Sequence, residues 1–276
     1  MMNAAVMTSS VVVPLRAPAG DIPSQHWQGG PVNCDVCCHA KLRELPGELG
    51  CEPGHACMQD VYARRIDRFF RWHPDRADEQ LTHAYFEVRA IAARHASVFR
   101  LTALIDDPDE TVRLQIALRL PLTQLLRLTN DPHREVRIRV AQRLSPITLA
   151  TMRQDPDYGV RELVALRLPL AILPTMVSDP DRAVRMRVAQ RLEMPTLLRM
   201  VVDSEPEVRR IVAERLPAPL LSRMASDEDW RVRWEVAQRA DANTLDTMRG
   251  DEDAEVRQAV QERQSRAVAR IGGSHG

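Results

Sequence analysis

The stretch DPHREVRIRVAQRLSPITLATMRQ, residues 131–154, is one copy of a repeat that determines the fold. Its Val136-Arg137 pair belongs to a series of Val-Arg pairs spaced by 24 residues without a slip, and columns of Ala, Arg and Leu keep the same spacing. A fixed period of this length predicts a solenoid, in which each unit buries its apolar side only against its neighbours. The Val-Arg pairs begin at Val88, Val112, Val136, Val160, Val184, Val208, Val232 and Val256.

The first half of the unit has the pattern of an α-helix. Asp131 and Pro132 are the residue types of an N-cap and a first helical position, so we expect the helix to begin there. Apolar residues from Val136 to Leu144 recur at helical spacing. The helix should end before Pro146, because proline cannot continue it.

The second half of the unit, SPITLATMRQ (145–154), has to return the chain to the start of the next helix. It is too short for a second full α-helix antiparallel to the first. A short helix, such as a 3₁₀ helix, fits better, and it would direct Leu149 and Met152 inward. The sequence therefore predicts an all-α solenoid whose 24-residue units each pair one α-helix with one short, tight helix.

Two arginine columns follow the same period. On a helical wheel of ~100° per residue, Arg137 falls inside the apolar stripe, and a buried arginine needs a partner. The Asp that opens each repeat is the expected partner, which predicts a structural role for the column from Arg89 to Arg257. Arg143, in the second column, lies at the edge of the stripe. That column (Arg119 to Arg263) either faces a ligand or lies on the surface with its stem buried.

All five cysteines lie in one segment, CDVCCHAKLRELPGELGCEPGHAC, residues 34–57. Cys34 and Cys37 have the spacing of a chelating pair, and Cys51 and Cys57 form a second pair in a loop rich in proline and glycine. Such a loop needs something to fold around, and metal binding supplies the free energy. Cys38 is then the spare thiol, because the C-x-x-C spacing is the commoner ligand geometry; the alternative exchanges it with Cys37.

The spacing alone leaves three chemistries open. Structural zinc can be held by four thiolates, or by three together with His39 or His55. An iron–sulfur cluster can be held by four thiolates. A redox disulfide system can use the adjacent Cys37 and Cys38.

The segment VYARRIDRFFRWHPDRA, residues 61–77, is basic and aromatic. Such a composition can form a platform for nucleic acid. A structural role is the better interpretation, because the first unit of a solenoid needs a cap and large aromatic residues suit the junction with a preceding domain.

The composition narrows the class of protein. Formal net charge is zero, and residues 107–263 contain 25 arginines and 26 acidic residues, which favours internal pairing over a phosphate-binding surface. No apolar run approaches the ~20 residues of a membrane helix, and the N-terminus is a poor secretory signal. We therefore expect a cytoplasmic chain with reduced thiols. No catalytic constellation stands out, so the chain is predicted not to be an enzyme.

The repeat pattern D-P-x-x-x-V-R-x-x-V-A-x-R-L, preceded by the cysteine segment and RRIDRFFRWHP, resembles the leucine-rich repeat variant (LRV) proteins of nitrogen-fixing bacteria. The resemblance spans about residues 27–263. It implies a right-handed superhelix of α/3₁₀ repeats after a small domain with a 4Fe-4S cluster, and a link to nitrogen fixation, without implying a biochemical activity. The cluster ligands that it implies are Cys34, Cys37, Cys51 and Cys57.

These patterns divide the chain into a flexible tail (1–26), an iron–sulfur domain (27–70), the repeat solenoid (71–264) and a C-terminal tail (265–276). The expected function is a non-enzymatic interaction scaffold that binds a protein partner on the solenoid surface, with a cluster of structural or redox-responsive role. The alternatives are an electron-transfer protein, a nucleic-acid-binding protein and a structural zinc protein; nucleic acid and membrane are not the favoured partners.

Overall fold

The structure is a computed structural model that describes the backbone of residues 22–272 and the side chains of residues 22–266. Within these residues all named secondary-structure elements are helices. The α-helices are α1 Ala63–Trp72, α2 Phe86–His95, α3 Glu110–Ala117, α4 Leu122–Leu125, α5 Arg134–Arg143, α6 Pro146–Leu149, α7 Tyr158–Arg167, α8 Arg182–Arg191, α9 Pro206–Arg215, α10 Trp230–Arg239, α11 Ala242–Thr247 and α12 Ala254–Gly272. The 3₁₀ helices are Ala40–Glu44, Gly47–Leu49, Pro74–Arg76, Asp78–Thr82, Val98–Leu104, Leu126–Leu128, Ala150–Met152, Leu173–Met176, Thr196–Met200 and Ala218–Met224.

Each repeat contains the predicted pair of a longer helix and a tight return. In the repeat quoted above, Val136, Val140, Leu149 and Met152 are all at most 4% exposed, so both halves contribute to the core. The return is a 3₁₀ helix in most repeats. In three repeats the return starts with a short α-helix or consists of one, for example α6. The predicted all-α fold of 24-residue α/3₁₀ repeats is confirmed.

The start of the long helix differs from the prediction. An N-cap at Asp131 and a first helical residue at Pro132 are wrong, since α5 begins at Arg134. The Asp131 carboxylate instead accepts the backbone N–H of His133 at 2.8 Å and binds the guanidinium of Arg113. The cap lies two residues later in the repeat, where aspartates accept a backbone N–H of the helix that follows. These caps are Asp109, Asp157, Asp181 and Asp229.

The first arginine column joins consecutive repeats. Arg209 donates from Nε and Nη2 to the two carboxylate oxygens of Asp227 at 2.8 and 2.9 Å, and from Nη1 to the backbone oxygen of Asp203 at 2.7 Å. Its side chain is 6% exposed. The predicted structural role is confirmed, and the planar fork of arginine explains why lysine is absent here. The same bidentate pairs are Arg89–Asp107, Arg113–Asp131, Arg161–Asp179, Arg185–Asp203 and Arg233–Asp251.

The second arginine column caps the helix of the preceding repeat. Arg215 donates from Nη1 to the backbone oxygens of Ala189 and Leu192, each at 2.6 Å. Those oxygens belong to the last turn of α8 and its C-cap, where carbonyls lack a partner within the helix. A cation there also complements the helix dipole. These contacts do not support the alternative in which the column faces a ligand. Equivalent bonds come from Arg119, Arg167, Arg191 and Arg239.

The chain divides into two compact units, one ending at Val140 and the other beginning at Ala141. The cysteine segment, α1 and the first repeats belong to the former, and the remaining repeats to the latter. Of the predicted tails, residues 1–21 and 273–276 lie outside the described residues, whereas residues 265–272 belong to α12. The predicted domain boundaries stay predictions.

Candidate metal centre

A turn places Cys34 and Cys37 close together. The backbone N–H of Cys37 donates to the carbonyl of Cys34 at 3.3 Å, and the N–H of His39 donates to Cys37 Sγ at 3.4 Å. Both thiols are partly buried, whereas the neighbouring Cys38 is exposed. The turn thus directs the C-x-x-C pair inward and the spare thiol outward.

Cys51 approaches the same region through a tightly packed glycine. A Cβ on Gly50 would lie 2.3 Å from the Leu45 carbonyl oxygen and 2.7 Å from that of Leu42, so no larger residue fits without a backbone shift. The Cys51 N–H donates to Leu42 O at 3.2 Å. Its Sγ lies 3.9 Å from the backbone oxygen of His39, so one residue contacts both Cys37 and Cys51.

Cys57 is the buried thiol of the set and is fixed to α1. It is 8% exposed, and its backbone N–H donates to Arg65 O at 3.1 Å. Arg65 pairs with Asp60 at 3.0 Å, with both side chains almost fully buried, and Asp60 also accepts from Ser24 Oγ at 2.8 Å. The spacing of Arg65 and Asp60 follows no helical or repeat period, so no sequence pattern indicates this anchor.

The thiols influence one another electrostatically. Burial is the main reason that the pKa of Cys34, Cys38, Cys51 and Cys57 is raised, to about 12 for Cys57, and the nearby Cys37 raises each of them further. Cys34 also raises the pKa of Cys51 and Cys57. Each of these thiols is therefore near enough to another thiol to interact with it, and Cys38 is the exposed one.

The cysteine side chains of this segment are suitable ligands for an iron–sulfur cluster. Among residues 22–266, no three His, Cys, Asp or Glu side chains already stand in a metal-binding arrangement. Cys34, Cys37, Cys51 and Cys57 are nevertheless of the donor type that a four-thiolate iron–sulfur site requires, and binding would stabilise their anionic form. The alternative zinc ligand His55 is engaged elsewhere, since its Nδ1 lies 2.8 Å from Arg68 Nη1.

The side chains of the basic and aromatic segment after the cysteines make contacts within the fold. Arg65 and Arg68 make the contacts above, and Arg71 pairs with Asp67. Phe69 and Phe70 are at most 1% exposed. This favours the predicted structural role at the junction with the first repeat.

Comparison with known proteins agrees with this geometry. Residues 24–79 match the family described as LRV protein FeS4 cluster, and 86–109, 158–181 and 206–229 match the leucine rich repeat variant family. A solved structure described as a leucine-rich repeat variant with a novel repetitive protein structural motif is 43% identical; the match covers 83% of this chain and 97% of that one, with a TM-score of 0.77. This chain belongs to the leucine-rich repeat variant family.

A relative of this LRV protein is known from Rhodobacter capsulatus, an uncharacterized 27.7 kDa protein in the nifB 3′ region. It is 45% identical over 104 residues, which are 38% of this chain and 41% of that protein. The LRV family match identifies a repeat protein with a domain for an FeS4 cluster and gives no support to zinc. No helix within residues 22–272 is long and apolar enough to cross a bilayer.

Proposed function

We propose that this LRV protein is a non-enzymatic, cytoplasmic interaction scaffold with a 4Fe-4S cluster on Cys34, Cys37, Cys51 and Cys57. The repeats support the proposal. The two arginine columns make structural contacts within the solenoid, so the exposed positions of the repeats are the ones available to bind a partner. When bound, the cluster adds a redox-responsive centre to the domain that precedes the repeats. The chain's own residues supply the thiolates and bury the site around Cys57.

The observation that carries the scaffold proposal is a pair of exposed tryptophans on α10. Trp230 and Trp234 are 44% and 37% exposed and lie one helical turn apart, on the same side of the helix. Arg231, next to Trp230, is also exposed and donates to the Asp229 carboxylate. Tryptophan and arginine dominate the binding energy of protein interfaces, so this surface is where we expect the protein partner.

The test is chemical crosslinking in the native host, followed by identification of the bound proteins. We expect the double variant W230A/W234A to lose partners that the unmodified chain retains. The matched control is F99A, which removes an 88% exposed aromatic ring from the 3₁₀ helix Val98–Leu104 and should retain them. Equal recovery of the same partners by all three chains would reject the scaffold surface.

The second candidate is an electron-transfer protein, favoured by the shallow position of the thiols. Val36, between Cys34 and Cys37, is 82% exposed, and Cys38 is exposed beside it. A cluster on these thiols would lie just under the surface, where a redox partner can approach. Reversible reduction by a physiological donor, followed by transfer onward, is expected for this candidate, and a cluster that cannot be reduced excludes it.

The link to nitrogen fixation rests on the resemblance and on the Rhodobacter capsulatus relative in the nifB 3′ region. We propose that the partner belongs to that process. Deletion of the gene should impair growth on dinitrogen and leave growth on ammonium unchanged; equal growth of both strains on dinitrogen would contradict the link.

A further inference from the structure

Two buried nitrogen atoms near the thiols have no hydrogen-bond partner among the described residues. They are Nε2 of His39, whose residue is 8% exposed, and Nε of Arg76. Buried polar atoms in native structures are almost always paired, so an unpaired one indicates a missing acceptor or donor. Both atoms belong to residues that lie beside the candidate metal centre.

His39 is fixed against this centre by its backbone and its ring. Its N–H donates to Cys37 Sγ, its carbonyl oxygen accepts from Cys51 Sγ, and its ring packs on Phe69 with centroids 5.2 Å apart. The residue is buried in this position, so Nε2 does not reach solvent.

Arg76 ends the 3₁₀ helix Pro74–Arg76, directly after α1. Its backbone N–H donates to the carbonyl oxygen of His73 at 3.1 Å, and His73 Nε2 lies 2.7 Å from the carbonyl oxygen of Gly50, the residue before Cys51. The turn that carries Arg76 therefore packs against the cysteine segment, and its charge acts on both His39 and Cys38. Among residues 22–266 it has no carboxylate at ion-pair distance.

We propose that Arg76 and His39 are positioning residues that stabilise the anionic charge of the bound cluster and thereby raise its reduction potential. This inference rests on the proposed ligation of a cluster by the four thiols. A cluster on four thiolates is anionic and becomes more negative on reduction, so a nearby cation and N–H donors favour the reduced form. The cluster supplies the acceptor that the two unpaired nitrogens lack.

The experiment measures the midpoint potential of the cluster in the full chain, prepared without oxygen and reconstituted with iron and sulfide, by a redox titration followed by electron paramagnetic resonance. We expect R76Q to have a more negative potential than the unmodified chain and R76K to shift less, since lysine keeps the charge. H39L should also shift to a more negative potential, and H39Q, which keeps a donor, should shift less. The matched control is R64Q, at an exposed arginine of α1, with an unchanged potential.

A purely structural role for the two residues would lower the iron and sulfide content without changing the potential of the clusters that remain. Unchanged potentials in R76Q and H39L therefore overturn the inference. If R76Q retains no cluster, H39L decides: a more negative potential supports the inference, and the unmodified value overturns it. An unmodified chain that takes up no iron and sulfide would instead reject the proposed cluster itself, and this inference with it.

Discussion

Individual cysteines of the same short segment differ sharply in their surroundings. Cys57 is buried and has its pKa raised to about 12, whereas Cys38 is exposed at the edge of the site. The spacing of the cysteines predicted a chelating segment but left Cys37 and Cys38 as alternatives. The two differ in exposure, which the order of residues along the chain does not encode directly.

Alkylation of the cluster-free chain should follow this difference. At pH 8 a thiol with a pKa of about 12 is ionised in roughly one molecule in ten thousand, so iodoacetamide should modify Cys57 last and Cys38 first. Raising the pH increases the thiolate fraction of Cys57 and should speed its modification. Peptide mass mapping over time measures the order.

Alkylation of the cluster-loaded chain tests the ligand assignment. Only Cys38 should react, and C38S should retain iron and sulfide while C37S loses them. Protection of Cys38 together with rapid modification of Cys37 would show that the two exchange roles.

At the scale of the helix and the repeat, two arginine columns join each unit to its neighbours in opposite directions. Arg209 reaches the Asp227 of the next repeat, and Arg215 reaches the carbonyls of the preceding helix. The sequence predicted the helices, the tight returns and a structural arginine. It misplaced the N-cap, because the Asp that opens each repeat is bound by an arginine 18 residues earlier. This contact joins two repeats, so the pattern of a single helix does not show it.

Removing one arginine of the first column should destabilise the repeats. R209M leaves the buried Asp227 without its partner, and we expect a loss of about 3–5 kcal/mol in the free energy of unfolding. The matched control is R127M, since Arg127 pairs with Asp106 at the surface, where both side chains are at least half exposed; the loss there should be about 0–1 kcal/mol. Urea unfolding followed by circular dichroism measures both losses, and equal losses would contradict the structural role of the first arginine column.

The Arg233–Asp251 pair predicts a sensitivity to acid. Burial raises the pKa of Asp251, but the hydrogen bond and charge of Arg233 outweigh it, so the net pKa is lowered. A carboxylate with a lowered folded pKa stabilises the fold above its ordinary pKa of about 4, and that contribution is lost as the pH falls through the folded value. The melting temperature should therefore drop below about pH 4. D251N should flatten this drop and D106N should not; identical acid profiles would refute the assignment.

On the scale of the whole chain, the cysteine segment and the repeats are held by different means. The segment between Cys34 and Cys57 has only two short 3₁₀ helices, and its anchors run to α1 through Arg65 and Asp60. The repeats are held by their own apolar columns and arginine contacts. Composition and period predicted this division, while the mutual approach of the thiols required the structure.

Removal of the cluster should therefore disturb the cysteine segment and leave the repeats folded. After iron chelation, we expect the far-ultraviolet circular dichroism to change little, while amide hydrogen exchange rises within residues 34–57 and stays constant in α7 to α10. Loss of protection throughout the repeats would show that their folding depends on the cluster.

Arg209 and Arg215 contact the neighbouring repeats in opposite directions, and this restricts how such a chain can change in length. Arg209 needs an aspartate 18 residues ahead, and Arg215 needs a carbonyl 26 residues behind. Gain or loss of a whole 24-residue module keeps both requirements satisfied at the new joints. We expect an insertion of another size within a helix of the array to strand a buried guanidinium on one side and a carboxylate on the other, so the length should change most readily by whole modules.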